Sequence, residues 1–132
     1  MRDYRGLEVW QKAHRMTVQV YHATEGFPKA EQFGLTSQIR RASASIPTNI
    51  AEGCGRWSQA DLAQFLHIAI GSSNELEYQL FLSLELGYMD SLTHDALGKD
   101  VASVRQMLSR LATTVRRSAP SARRQSKSRP MR

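Results

Sequence analysis

The side chains able to do chemistry here are few and scattered. His14, His22, His67 and His94 are the imidazoles, and Cys54 is the one thiol. His14 and His22 stand about two helical turns apart, too far along one helix to ligate a single metal ion. His67 and His94 have no local ligand partner. There is no H-E-x-x-H, no cysteine pair and no E-x-x-H of a di-iron bundle, and Glu31 and Glu85 do not supply one. No metal and no cofactor is expected. Cys54 lies between Gly53 and Gly55 with Arg56 nearby but no histidine beside it, so it reads as a thiol in a turn. The Gly53-Cys54-Gly55 run is too short for a phosphate loop, and no G-x-S-x-G element occurs. These absences leave no catalytic residue to nominate, and the expectation is a protein that is not an enzyme.

What stands out instead is a concentration of polar residues on two neighbouring segments. Arg40, Arg41, Asn49, Glu52 and Arg56 come from one, with Gln38 beside them. Ser72, Glu75 and Glu77 come from the next, with Ser73, Asn74 and Tyr78. Antiparallel packing would set residues 38–52 against 65–80 and allow an Arg41–Glu75 or Arg40–Glu77 bridge. Such a pair fixes register more than it stabilises. One reading is therefore a structural or oligomer-specifying cluster; the other is a contact surface for a ligand or nucleic acid.

The segment that must position the first group is Leu35–Gly53. Leu35, Ile39, Ala42, Ile46 and Ile50 fall on one face of a helix. Small residues (Ser43, Ala44, Ser45, Ala51) permit another helix to approach. The spacing predicts a second helix starting near Lys29–Glu31, weakened at Gly34, running to Gly53 and kinked near Pro47. Ser43 and Ser45 are the expected partners for the carbonyl that the proline leaves free; two helices meeting at Ser45 is the alternative.

Before it, a helix over Leu7–Thr24 carries a stripe of Trp10, Ala13, Thr17, Val20, Tyr21 and Thr24, broadened by Val9 and Val18, and stops at Gly26. After it, Ser58 and Asp61 form a capping-box pattern, with Trp57 and Leu62 at the positions of a hydrophobic staple. The third helix should run from Gln59 to about Leu86, with Leu62, Phe65, Leu66, Ala69, Ser73, Leu76, Leu80 and Leu84 along its face and Gly87 as its stop. A fourth, over Thr93–Arg117, repeats Leu97, Val101, Val104, Leu108, Leu111 and Val115 in a near-heptad seam. Four long helices on short turns predict an all-α, antiparallel up-down-up-down four-helix bundle over residues 1–117. Apolar faces too wide for one seam (Phe65, Tyr78, Phe81, Leu82) suggest a homo-oligomer.

The chain has 132 residues and a formal net charge of +6. Residues 1–117 hold 13 Lys/Arg against 12 Asp/Glu, so the basic excess sits in residues 118–132. There Arg123, Arg124, Lys127, Arg129 and Arg132 lie among Ser and Pro with no acid, which predicts a disordered basic tail able to attract phosphates. No aromatic residue is interleaved to stack on bases. No apolar run approaches the about 18 residues of a membrane span, there is no secretory signal, and one free thiol fits a reducing compartment. A cytoplasmic location without membrane contact is the expectation.

The run LTSQIRRASASIPTNIAEGCGRWS, with LEVWQKAHRMTVQVYHATEGFPKAEQFGL before it and DLAQFLHIAIGSSNELEYQLFLSLELGY after it, resembles one known family. This is the four-helix-bundle family of proteins encoded in 23S rRNA intervening sequences. The likeness covers about Tyr4–Arg117. It rests on RRA-x-x-SIP-x-NIAEG at 40–53, Gly55-Arg56, and GS-x-x-ELE at 71–77. The family is similar to the accessory proteins of diversity-generating retroelements, which form pentameric barrels and contact a reverse transcriptase and nucleic acid. The resemblance implies a non-enzymatic oligomeric helical scaffold or accessory protein, a pentamer as the first guess, and a possible nucleic-acid or nucleoprotein partner. The alternative is direct binding of an RNA or DNA backbone through arginines and the tail. Arg40, Arg41, Asn49, Glu52, Gly53, Arg56, Gly71, Ser72, Glu75 and Glu77 match the family pattern.

Overall fold

Apolar residues recurring every three or four positions are buried most cheaply on helices that face one another. The computed structural model describes residues 2–119, and among them it contains helices and no strand. A short 3-10 turn at Tyr4–Gly6 leads into α1 (Glu8–Ala23). A second turn at Lys29–Glu31 precedes α2 (Leu35–Cys54), and α3 (Gln59–Glu85) and α4 (Ser91–Ser118) follow. Each helix packs on its two neighbours in the cycle α1–α2–α3–α4–α1. Bonds from Thr17 to Ser43, Ser45 to Ser72 and Arg105 to Asn74 and Glu77 run between antiparallel neighbours. The four-helix bundle is thus the architecture.

The core is made by Met16 and Val20 of α1; Ile39, Ile46 and Ile50 of α2; Leu66, Leu76 and Leu80 of α3; and Val101, Val104, Leu108 and Val115 of α4. Each such side chain contributes roughly 1.5–3 kcal/mol of burial. The buried stripe of α1 is Val9, Ala13, Met16 and Val20, rotated from the expected one. Trp10 instead flanks the core, edge-on to Tyr4 at 4.9 Å and stacked on His14 at 5.0 Å, while Tyr21 is largely exposed.

The start of α2 also differs from expectation. Residues 29–31 form a separate turn, and the helix begins only at Leu35, after Gly34 at φ −111°, ψ −115°. Glu31 spans the gap: its Oε1 accepts the Leu35 N–H at 3.2 Å and its Oε2 accepts the Tyr88 hydroxyl at 3.0 Å. Phe27 meets the Tyr88 ring at 5.5 Å, so the α1–α2 and α3–α4 connections are fastened together.

α2 continues through Pro47. The proline has no N–H for the carbonyl of Ser43, four residues back. Thr17 of α1 serves it instead: its hydroxyl reaches the Ser43 oxygen at 2.9 Å and the Ala13 carbonyl of its own helix at 3.0 Å, so its one proton is shared between them. The serines expected there are used elsewhere: Ser43 donates to the Arg40 carbonyl, and Ser45 pairs with Ser72.

Ser58 caps α3, accepting the Asp61 N–H at 3.0 Å. The staple does not form. Trp57 is 88% exposed, and Leu62 packs under the end of α2, where a Cβ on Gly53 would come within 2.9 Å of Leu62 Cδ1 and Phe65 Cβ. Gly53 is therefore what lets the α2 terminus lie on α3. Gly87, at φ 77°, closes α3, with its N–H on the Leu84 carbonyl and that of Tyr88 on Ser83. Asp90 then caps α4 by accepting the Thr93 N–H at 2.7 Å, two residues earlier than the sequence indicates. α4 reaches Ser118; the basic tail residues Arg123, Arg124, Lys127, Arg129 and Arg132 lie outside the described residues.

Candidate functional site

The polar residues singled out in the sequence divide among several places. Arg40 turns to α1. Its Nε donates to the buried Thr24 hydroxyl at 2.8 Å, its Nη2 to the Tyr21 carbonyl at 3.2 Å, and its guanidinium lies 4.8 Å from the Tyr21 ring centre. Glu77 turns to α4 and accepts from Arg105 at 2.9 Å, while Asn74 accepts from the same guanidinium at 3.1 Å. The Arg40–Glu77 bridge is accordingly not made. Glu52 and Arg56 pair at 3.6 Å at the end of α2, with Arg56 also 4.9 Å from the Phe65 ring centre.

Arg41, Asn49, Ser72 and Glu75 do gather, along the α2–α3 seam. The Asn49 amide donates to the Ser45 carbonyl at 2.8 Å and to its hydroxyl at 2.9 Å, and that hydroxyl meets Ser72 at 2.8 Å. This chain ties the small-residue stretch of α2 to α3. Beside it Arg41 and Glu75 stand exposed on the walls of a depression of about 440 Å³, which Gln38, Ala42 and Ser45 also line. They form no ion pair with each other. The seam thus offers one positive and one negative group to the outside rather than a closed bridge.

Cys54 is buried, and burial pushes its thiol pKa up, with the nearby Arg2 guanidinium acting in the other direction. Its carbonyl accepts the Arg2 N–H at 2.9 Å. A buried thiol with a raised pKa is a poor nucleophile. Among the described residues no group of three His, Cys, Asp or Glu could hold a metal ion, and no helix is long and apolar enough to cross a membrane.

Two contacts have no signature in the sequence. Thr17 carries no local signal, because its role depends on which residue of α1 faces Pro47. Arg116 contacts His67 across α3 and α4, a pairing of residues 49 positions apart.

The comparison with known proteins agrees with the fold. Residues 5–110 fit the model of the 23S rRNA-intervening sequence protein family. The chain belongs to that family. It is also similar in fold to a crystal structure, at 1.70 Å resolution, of a protein of unknown function from the S23 ribosomal protein family of Bacteroides thetaiotaomicron VPI-5482. The TM-score is 0.73 at 25% identity, covering 80% of this chain and 95% of that one. No curated protein matches the chain. The family's function is unknown, and neither name specifies a reaction.

Proposed function

We propose that this intervening-sequence protein is a non-enzymatic oligomeric helical scaffold or accessory protein, with a ring of five copies as the first arrangement to test. The observation that carries this is the outward face of α3. Ile68, Gly71, Glu75 and Tyr78 form one stripe at helical spacing, with Phe81 at its edge. Ile68 is 47% exposed, Tyr78 62% and Phe81 50%. Gly71 costs about 1 kcal/mol relative to Ala inside a helix. A Cβ there would meet nothing within 4 Å, so nothing inside the single bundle requires glycine. A second helix crossing at that point would. Glu75 within the stripe and the exposed Arg41 beside it supply charges to pair across such a crossing.

Native mass spectrometry tests this. The chain weighs 14.9 kDa, so a ring of five weighs about 75 kDa. Replacing Tyr78 and Phe81 by Glu should reduce the assembly to single chains without loss of helical circular dichroism. Gly71→Ala should leave the single chain at least as stable while weakening the assembly. A wild-type protein that stays monomeric at every concentration overturns the proposal.

The second reading is direct contact with an RNA or DNA backbone. It is favoured by Arg116 and Arg117, which end α4 just where the sequence runs into its basic terminus. Arg40, Arg56 and Arg105 do not join them, each being held at a different place. Fluorescence anisotropy with RNA and duplex DNA over a salt series tests it, since backbone contacts weaken steeply with salt.

A further inference from the structure

We infer that the groove between the first half of α3 and the last turns of α4 is a binding site for a phosphomonoester carrying an organic group. The groove has a volume of about 700 Å³, within the range of small-molecule sites. Its size follows from its floor. Ala63 and Ala112, 5% and 3% exposed, both line it, and larger side chains at these two positions would take up space between the helices. His67, Arg116 and Arg117 stand around that apolar floor, and among the described residues no carboxylate lines it.

The charge on the rim is not neutralised locally. Neither Arg116 nor Arg117 takes part in an ion pair among the described residues. They do lie in the last turn of α4, where the helix end carries about half a negative charge. Two full positive charges exceed that. Arg116 spends one N–H on the Nε2 of His67, and no other side-chain partner among the described residues takes a donor of either guanidinium. Two guanidinium charges match a dianion, and the three terminal oxygens of a phosphate can serve both forks at once, whereas the two oxygens of a carboxylate are matched by a single fork. The alanine floor suits a flat or aliphatic body attached to it.

A nucleoside monophosphate and the 5′-phosphate end of an oligonucleotide offer this same chemistry. The groove adjoins the α3 stripe that carries the oligomer proposal but shares no lining residue with it, so each is read by its own variants.

Titration calorimetry of the full chain at low salt is the test, with adenosine monophosphate, adenosine, inorganic phosphate, and a triadenylate with and without its 5′-phosphate. Adenosine monophosphate should bind saturably, and more tightly than either adenosine or phosphate. Arg116→Gln with Arg117→Gln should weaken it about tenfold or more, as loss of charge-assisted bonds requires. Ala60→Trp, an exposed position at the groove, should weaken it by obstruction, with helicity retained in both variants. If the 5′-phosphorylated triadenylate matches the mononucleotide, the natural ligand is a strand end; if it binds more weakly, a free nucleotide. Absence of saturable binding overturns the inference. So does affinity unchanged in the arginine double variant, which would place the phosphate on the chain's other basic residues.

Discussion

Thr17→Val isolates the bond that allows a proline inside α2. The Thr17 hydroxyl shares its one proton between the Ser43 carbonyl at 2.9 Å and the Ala13 carbonyl at 3.0 Å; Ala13 keeps its own helical N–H donor, whereas Ser43 is fully buried and has lost its own to the proline, so water does not replace Thr17 there. An orphaned buried acceptor costs roughly 1–3 kcal/mol. Valine keeps the shape of threonine and gains a buried methyl worth up to about 0.8 kcal/mol. The net loss should be about 1–2 kcal/mol, a fall in melting temperature of about 3–10 °C for a chain of this size. The same substitution in a Pro47→Ala background should be nearly silent, because alanine restores an N–H that can donate to Ser43 within the helix. Chemical denaturation followed by circular dichroism closes the double-mutant cycle, at one fixed protein concentration because assembly would make stability concentration-dependent. The expected coupling is about 1 kcal/mol or more. Equal losses in the two backgrounds would refute the argument that Thr17 stands in for the missing N–H.

Two further perturbations probe the helix partners. Arg40→Lys should cost roughly 1–2 kcal/mol in the same denaturation assay, because an ammonium cannot reach Thr24 and Tyr21 together while lying flat on the Tyr21 ring; an unchanged midpoint would reduce Arg40 to a surface charge. The Thr93 N–H that caps onto Asp90 holds that carboxyl below its ordinary pKa, so the carboxylate's contribution is complete above about pH 4 and is lost as pH falls through the lowered folded value. Asp90→Asn keeps the cap without titrating, so the melting-temperature advantage of the wild type over it should shrink below about pH 4. An advantage independent of pH would mean that the charge is not what stabilises the cap.

The fold was legible because burial here follows helical spacing. Leu35, Ile39, Ala42, Ile46 and Ile50 are all buried, as are Leu97, Val101, Val104, Leu108 and Val115, while Leu111 of the expected seam is only partly buried and Ala112 beside it enters the core. In α1 and at the start of α3 the reading slipped on large aromatic residues. Trp10 and Tyr21 pulled the α1 stripe off Met16, and Trp57 suggested a staple that Gly53 pre-empts by drawing Leu62 beneath α2. Composition marks such rings as apolar; only the neighbouring backbone decides whether there is room for them. The polar cluster was legible as a set of residues but not as a set of contacts. Adjacent arginines on a helix point about 100° apart, so Arg40 and Arg41 must face different neighbours. One meets Tyr21 and Thr24, whose positions were readable. The other meets an open depression with Glu75, which no pattern of spacing distinguishes from a closed bridge. That difference bears on function. A closed bridge would spend both charges inside one chain, whereas the open pair beside Gly71 and Tyr78 leaves them for whatever packs on α3. The polar residues of the family pattern therefore have separate roles. Arg40, Asn49 and Ser72 bond within the bundle, while Arg41 and Glu75 stand exposed beside the α3 face on which the proposed assembly would pack.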